Sequence, residues 1–148
     1  MDRNAVFLGR IYQNARLTSR WADSLLSKTD DPALTRIIRR EIGDCETYAQ
    51  SARDLLAAYQ ELPEEPGVLD QAASWGSLQM NTLLDHTPDH LSQVLAMGLE
   101  TGARELQNDM REFCGCDRPV TDLAQRLLDH HQVTARQLKD VPEGGTLS

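Results

Sequence analysis

The stretch PALTRIIRREIGDCETYAQSARDLLAAYQE, from Pro32 to Glu61, decides the fold class, because its apolar residues recur at steps of three and four. That spacing is typical of one face of an α-helix. The apolar positions form a nearly unbroken seven-residue repeat: Leu34, Ile38, Ile42, Cys45, Ala49, Ala52, Leu56 and Tyr59. The stretch therefore predicts a long amphipathic helix, and the Asp31-Pro32 pair predicts its capped start.

Three further long segments carry the same periodicity, and each begins or ends near a proline, glycine or capping residue. They predict helices over Arg3–Ser27, Pro88–Phe113 and Pro119–Lys139, and the segment Val68–Leu84 predicts a short additional helix. Short turns follow the first and the fourth predicted helices, which favours two antiparallel hairpins. The chain between the hairpins is long enough to cross the bundle from end to end.

The sequence therefore predicts an all-α fold, a ferritin-like four-helix bundle of two antiparallel hairpins joined by a long crossover that carries the short helix. A chain of 148 residues fits one domain. We expect this single domain to span residues 1–140, followed by a flexible C-terminal tail over residues 141–148.

Composition limits the classes of function. The net charge is −8, which disfavours nucleic acid as a partner because its phosphates would be repelled. The N-terminal sequence MDRNAVFLGR has no long apolar run, so we expect no export signal, no membrane span and a cytoplasmic location. Three cysteines in such a chain do not predict a disulfide framework.

A ferritin-type di-iron centre needs two Glu-x-x-His pairs, and the sequence contains none. Each long helix nevertheless places one polar residue near its apolar stripe: Asn14, Glu41, Asp109 and His131. Counting along the helices puts Glu41 nearer Thr18 than Asn14, and His131 nearer Thr101 than Asp109. We therefore expect these residues to satisfy one another or reach water, and whether they converge into one polar or metal site stays open.

The histidines of Asp129-His130-His131 are adjacent in sequence, so their side chains leave the helix about 100° apart. Two arrangements stay open: the histidines straddle the apolar stripe, with one against each neighbouring helix, or they pack or face solvent. Neither arrangement is expected to hold a metal. Cys114 and Cys116 flank Gly115, which is an ordinary helix terminator. Neither cysteine is assigned a metal or redox role on this pattern.

Three motifs resemble small uncharacterised bacterial ferritin-like proteins: W-x-x-x-Q-M-N-T-L from Trp75, H-L-x-x-x-L-x-x-G from His90 and A-x-R-L-L from Ala124. The chain is also distantly similar to the rubrerythrin and spore coat protein F families. This resemblance implies the bundle fold. The Glu-x-x-His ligands of rubrerythrin have no counterparts here, so its peroxidase chemistry is not implied for any residue.

The function expected from the sequence is that of a non-enzymatic, metal-free bundle, a homodimeric interaction or structural protein with no catalytic, cofactor-binding or metal-binding residues. One alternative is a degenerate ferritin-like metalloprotein that uses Glu41 and His131 in iron or redox handling. A second alternative is a coat-type assembly protein of bacteria.

Overall fold

The computed structural model describes residues 2–67 and 85–139, which form four α-helices and no strand within those ranges. The helices are α1 (Arg3–Leu26), α2 (Pro32–Ala58), α3 (Pro88–Glu112) and α4 (Arg118–Lys139). The all-α, four-helix prediction is confirmed. The predicted short helix Val68–Leu84 and the predicted tail over residues 141–148 lie outside the described residues.

Capping residues fix where the helices begin. The Asp31 carboxylate accepts a hydrogen bond from Leu34 N at 2.8 Å, with Pro32 in the first turn of α2. The Thr87 hydroxyl accepts one from His90 N at 3.4 Å at the start of α3. These side chains satisfy backbone N–H groups that have no partner inside the helix, and a cap of this kind contributes about 1 kcal/mol. Both starts were predicted from the sequence.

The end of α2 falls three residues before the predicted Glu61. Gln60 adopts a left-handed φ of 59°, which ends the helix. The N–H groups of Gln60 and Glu61 then donate to the carbonyls of Ala57 and Leu56, at 3.0 and 3.1 Å. This is the Schellman arrangement, in which glycine is the usual left-handed residue. A glutamine in that position gave no sequence signal for the end of the helix.

Hydrogen bonds between helices define how the four helices are arranged. α1 is antiparallel to α3, because Asn14 bonds to Gly102 while the later Trp21 bonds to the earlier Val94. α2 is antiparallel to α4, since Glu41 contacts His130 and Tyr59 contacts Asp117. Within each hairpin, α1 packs against α2 and α3 packs against α4.

The described residues form an apolar core of two clusters, one toward each end of the bundle. The first cluster contains Phe7, Leu8, Ile11, Leu56, Leu106, Phe113, Leu123 and Leu127 among others. The second contains Trp21, Leu25, Leu34, Ile38, Leu95, Leu99 and Leu138 among others. Every helix contributes to both clusters, so the point where one cluster gives way to the other is a cross-section through all four helices.

Close helix approach in the second cluster depends on a glycine. A Cβ atom at Gly98 would lie 2.0 Å from the indole nitrogen of Trp21. That nitrogen donates to Val94 O at 3.3 Å, so the fully buried indole lies directly over the backbone of α3. The core can accommodate tryptophan at this point because α3 has no side chain there.

The segment after α2 is bound to α1 through Glu65. The Glu65 carboxylate accepts hydrogen bonds from the Tyr12 hydroxyl and from Arg16 Nε, the latter at 3.2 Å, and Arg20 lies 3.4 Å away. Burial raises the pKa of Glu65, but the Tyr12 and Arg16 hydrogen bonds and the two guanidinium charges outweigh it and leave the pKa below its usual value. Glu65 thus holds the segment to α1 as an ionised carboxylate.

Candidate functional site

A layer of polar residues separates the two apolar clusters, and each helix contributes to it. The layer contains Asn14 and Thr18 of α1, Glu41 and Cys45 of α2, the backbone of Gly102 in α3, and His130 and His131 of α4. Asn14, Thr18, Glu41, Cys45 and His131 are buried. Two groups of contacts make up the layer, one on each adjacent histidine.

The first group lies between α2 and α4 and is centred on Glu41 and His130. His130 Nε2 is 3.1 Å from Glu41 Oε1 and 3.0 Å from Glu41 Oε2. The same nitrogen is 4.0 Å from Asp44 Oδ2. The exposed fraction of the side chain rises from 2% at Glu41 through 17% at His130 to 43% at Asp44. The group therefore runs from the core to the surface along the groove between α2 and α4.

The charge state of this group follows from its contacts. Burial lowers the pKa of His130, but the hydrogen bond and negative charge of Glu41, with a smaller contribution from Asp44, outweigh it and raise that pKa above its usual value. Protonation of His130 turns this contact into an ion pair with the Glu41 carboxylate. The ring of Tyr48 lies 5.4 Å from the His130 ring, with the two ring planes tilted by 47°.

Cys45 contacts the same carboxylate from one helical turn further along α2. Its thiol donates a hydrogen bond to Glu41 Oε1 at 3.2 Å, and both side chains are buried. Burial, and then the charge of Glu41, raise the pKa of the thiol well above its usual value, so Cys45 is protonated at neutral pH. The sequence prediction that Cys45 is a buried core residue is confirmed, but its contact with Glu41 was not predicted.

The second group lies among α1, α3 and α4 and is centred on His131. Asn14 Nδ2 donates to Gly102 O at 2.9 Å, so Asn14 Oδ1 is an acceptor and His131 Nε2, also at 2.9 Å, is the donor. His131 Nδ1 is then a bare acceptor. It is the one buried side-chain nitrogen or oxygen without a hydrogen-bond partner among the described residues.

His131 is neutral because of where it lies. Complete burial, followed by the charge of His130, lowers the pKa of His131 to about 3. The ring has room because α3 presents a glycine, and a Cβ at Gly102 would lie 3.3 Å from His131 Nε2 and 3.1 Å from Thr18 Oγ1. His131 thus joins three helices without carrying charge.

The structure brings together three of the four polar residues that the sequence placed near the stripes. Asn14, Glu41 and His131 lie in the layer, whereas Asp109 forms an ion pair with Arg10 at 2.9 Å nearer the end of the bundle. The counting argument that separated His131 from Asp109 is therefore confirmed. Glu41 pairs with His130, however, and His131 pairs with Asn14, so the Glu41 and His131 combination of the metalloprotein alternative is not the one observed.

Of the two arrangements left open for these histidines, the structure shows the straddling one, because His130 meets α2 and His131 meets α1. Sequence reasoning missed His130 and Asp44 as partners of Glu41. A signal existed in the spacing of Glu41 and Asp44, since residues three apart on a helix share a face. Periodicity alone could not show that α4 presents His130 to that face.

The Glu41, Asp44 and His130 side chains each place one ligand atom within 4.8 Å of the other two. Among residues 2–67 and 85–139 no other set of three or more histidine, cysteine, aspartate or glutamate residues meets this distance. Two carboxylates and an imidazole are ligands that divalent transition metals accept. The expectation that no residue of this chain binds metal or cofactor stays a prediction.

The cysteines at the α3–α4 turn do not join this group. Cys114 is exposed and Cys116 is half-buried, and both are free thiols. Gly115 between them has a φ of +90°, the left-handed conformation expected of a residue that ends a helix. The interpretation of Gly115 as a terminator is confirmed.

Neither the protein-family models, nor the curated proteins, nor the solved structures match this chain. The resemblance to ferritin-like proteins therefore stays a prediction. In the part of the chain that the structure describes, no helix is both long enough and apolar enough to cross a membrane.

Proposed function

We propose that this helical bundle binds one divalent transition-metal ion between α2 and α4, with Glu41, Asp44 and His130 as its ligands. The observation that carries the proposal is the convergence of the three ligand atoms within 4.8 Å. It is a form of the metalloprotein alternative raised by the sequence, with His130 in the place of His131.

The distance between the two inner ligands supports the proposal. Metal–nitrogen and metal–oxygen bonds of about 2.1 Å, at right angles or somewhat wider, leave the two ligand atoms about 3.0–3.4 Å apart. His130 Nε2 and Glu41 Oε2 are 3.0 Å apart. A metal ion can therefore replace the proton between them with little movement of either side chain. Asp44, at 4.0 Å and half exposed, is free to close the remaining gap.

The ligand types favour zinc, iron or manganese over magnesium or calcium. An imidazole nitrogen suits transition metals, whereas magnesium and calcium prefer oxygen ligands throughout. Three protein ligands leave part of the coordination sphere to water or another small ligand. Since the group opens toward solvent at Asp44, we expect that position to face outward.

Elemental analysis tests the proposal on full-length protein purified without a histidine tag or chelator, from cells supplied with zinc, iron and manganese and handled without oxygen. We expect about one equivalent of metal per chain in the parent protein and loss of that metal in Glu41→Gln and His130→Gln. Asp129→Asn is the matched control, because Asp129 is an exposed neighbour of His130 whose side chain bonds to Gln125 instead. Background metal in the parent protein, or equal metal in all four proteins, contradicts the proposal.

A second candidate is the function expected from the sequence, a metal-free interaction or structural protein that forms a homodimer. It is favoured by the hydrogen bonds that Glu41 already has without an ion, one from Cys45 and one from His130. A protein that stays metal-free in the elemental analysis and sediments as a dimer would support this candidate. A strictly monomeric species at high concentration would count against the homodimer and against a coat-type assembly.

Ferritin-like connectivity is the third part of the proposal. α2 ends where Tyr59 contacts Asp117, beside the turn between α3 and α4. α3 begins at the opposite end of the bundle, since its early residue Val94 contacts Trp21 near the end of α1. Residues 59–87 must connect these two ends, which supports a crossover along the length of the bundle.

A further inference from the structure

We infer that Cys45 is a positioning residue for the metal-binding carboxylate, holding Glu41 Oε1 so that Oε2 is offered to the ion. This inference rests on the proposed metal site. It is carried by the thiol-to-carboxylate hydrogen bond of 3.2 Å between two buried side chains of α2.

The carboxylate of Glu41 needs a second partner once a metal is bound. In the present structure His130 Nε2 lies within hydrogen-bond distance of both oxygens, 3.1 Å from Oε1 and 3.0 Å from Oε2. A metal ion bound to Nε2 replaces the proton on that nitrogen, so His130 can no longer donate to either oxygen. Oε2 then bonds to the metal, and Oε1 retains the hydrogen bond from Cys45.

Because Glu41 is buried, the hydrogen bond from Cys45 determines how its carboxylate is oriented. Glu41 is 2% exposed, and it lies on the buried stripe of α2 between Ile38 and Cys45. A buried carboxylate oxygen without a donor is unfavourable, and the side chain would turn to find one. The thiol therefore keeps the carboxylate in the orientation that binds metal through one oxygen. Hydrogen bonds to metal ligands commonly change metal affinity by roughly 10–100-fold.

The distances favour this role over direct coordination by sulfur. Among the described residues, ligand atoms of Glu41, Asp44 and His130 lie within 4.8 Å of one another, and the Cys45 sulfur does not come within that distance of all three. The thiol instead lies 3.2 Å from Glu41 Oε1, where it donates to the carboxylate.

Cobalt(II) titration of the full chain, followed by visible and near-ultraviolet absorption, tests the inference. Cys45→Val and Cys45→Ala both remove the donor, and Cys45→Ser keeps one. Cys116→Val is the matched control, because that half-buried cysteine lies at the α3–α4 turn. We expect the two donor-free variants to bind cobalt at least about tenfold more weakly, the serine variant to recover most of that loss, and the control to match the parent protein. Circular dichroism on each variant establishes that the helices are retained.

Each remaining outcome has a definite meaning. Equal cobalt affinity in the parent, valine and alanine proteins overturns the positioning role and leaves the metal site standing. A sulfur-to-cobalt charge-transfer band that disappears in Cys45→Val shows that the thiolate is a ligand, which also overturns the positioning role. No cobalt binding by the parent protein, with a spectrum identical to that of Glu41→Gln, removes the proposed function together with the inference.

Discussion

His130 and His131 are neighbours in the chain, yet their surroundings are opposite. His130 lies in the groove between α2 and α4, faces two carboxylates and has a raised pKa. His131 lies in the core, faces the neutral amide of Asn14 and has a pKa lowered to about 3. The two rings are 6.1 Å apart at their centroids, so the difference does not come from distance. A rotation of about 100° around α4 places one residue beside a charge and the other in a solvent-free interior.

Rotation around α4 therefore decides which of the two histidines has the raised pKa and which has the lowered one. For the same reason the layer can hold a candidate metal group on one side and a neutral tie between helices on the other. Replacing each histidine, or altering the space around it, tests how independent the two sides are.

The largest expected effect on the free energy of unfolding comes from removing His130, the partner of Glu41. His130→Ala removes the Nε2 atom that lies 3.0 Å from a carboxylate only 2% exposed, and breaking a buried pair in this way costs about 3–5 kcal/mol. Urea unfolding at neutral pH in the presence of EDTA measures the change. Val133→Ala, at a residue of the same helix that is 46% exposed, serves as the control and should stay within about 0.5 kcal/mol of the parent protein. A similar small change for His130→Ala would mean that the pair does not stabilise the fold.

The second expected effect is an acid sensitivity that comes from His131. Its folded pKa of about 3 lies below the unfolded value of about 6.5, so the unfolded chain binds a proton that the folded chain does not. Stability from this group is therefore complete above about pH 6.5 and falls by about 1.4 kcal/mol for each pH unit below it, until the folded group titrates.

His130 acts in the opposite direction, because its folded pKa is raised and its contribution is lost as the pH rises through that folded value.

The effect of His131 is measured by urea unfolding between about pH 6.5 and 4, with EDTA present. The free energy of unfolding should fall more steeply with decreasing pH for the parent protein than for His131→Leu. An equal dependence of stability on pH in the two proteins would mean that His131 takes up a proton in the folded protein over this pH range.

The smallest expected effect separates two glycines by the space around them. A Cβ at Gly43 meets nothing within 4 Å, so Gly43→Ala should stabilise the protein by about 0.5–1 kcal/mol through helix propensity. A Cβ at Gly102 would press on Thr18 Oγ1 at 3.1 Å and His131 Nε2 at 3.3 Å. Crowding of this kind costs about 1–3 kcal/mol, so Gly102→Ala should be neutral or destabilising. Thermal unfolding of the two variants measures the difference. An equal gain in stability in both would show that Thr18 and His131 can move to accommodate the added methyl group.

The helices themselves could be read from the sequence because their signals are local. The stripe from Leu34 to Leu56, and the Asp31 and Thr87 caps, act within a few residues of the chain and depend on no other helix. The end of α2 could not be read in the same way, since a left-handed Gln60 is an uncommon choice at that position. Two of the predicted elements, Val68–Leu84 and the tail, remain predictions.

The candidate site was only partly visible in the sequence. Glu41, Asn14 and His131 were identified by their positions beside apolar stripes, and Asp109 was included on the same grounds. Their partners could not be identified, because a shift of one helix along another by a single turn changes every contact. That stagger is set by packing over the whole length of the bundle.

By itself the amino-acid sequence determined that this chain forms long amphipathic helices, where most of them begin, and that no Glu-x-x-His pair is present. Both kinds of information are local, since helix periodicity and capping act over a few residues. Only the tertiary structure decided that His130 meets Glu41 and Asp44 while His131 meets Asn14. The physical reason is that rotation and stagger are fixed by the two apolar clusters on either side of the layer, which bury side chains from all four helices at once.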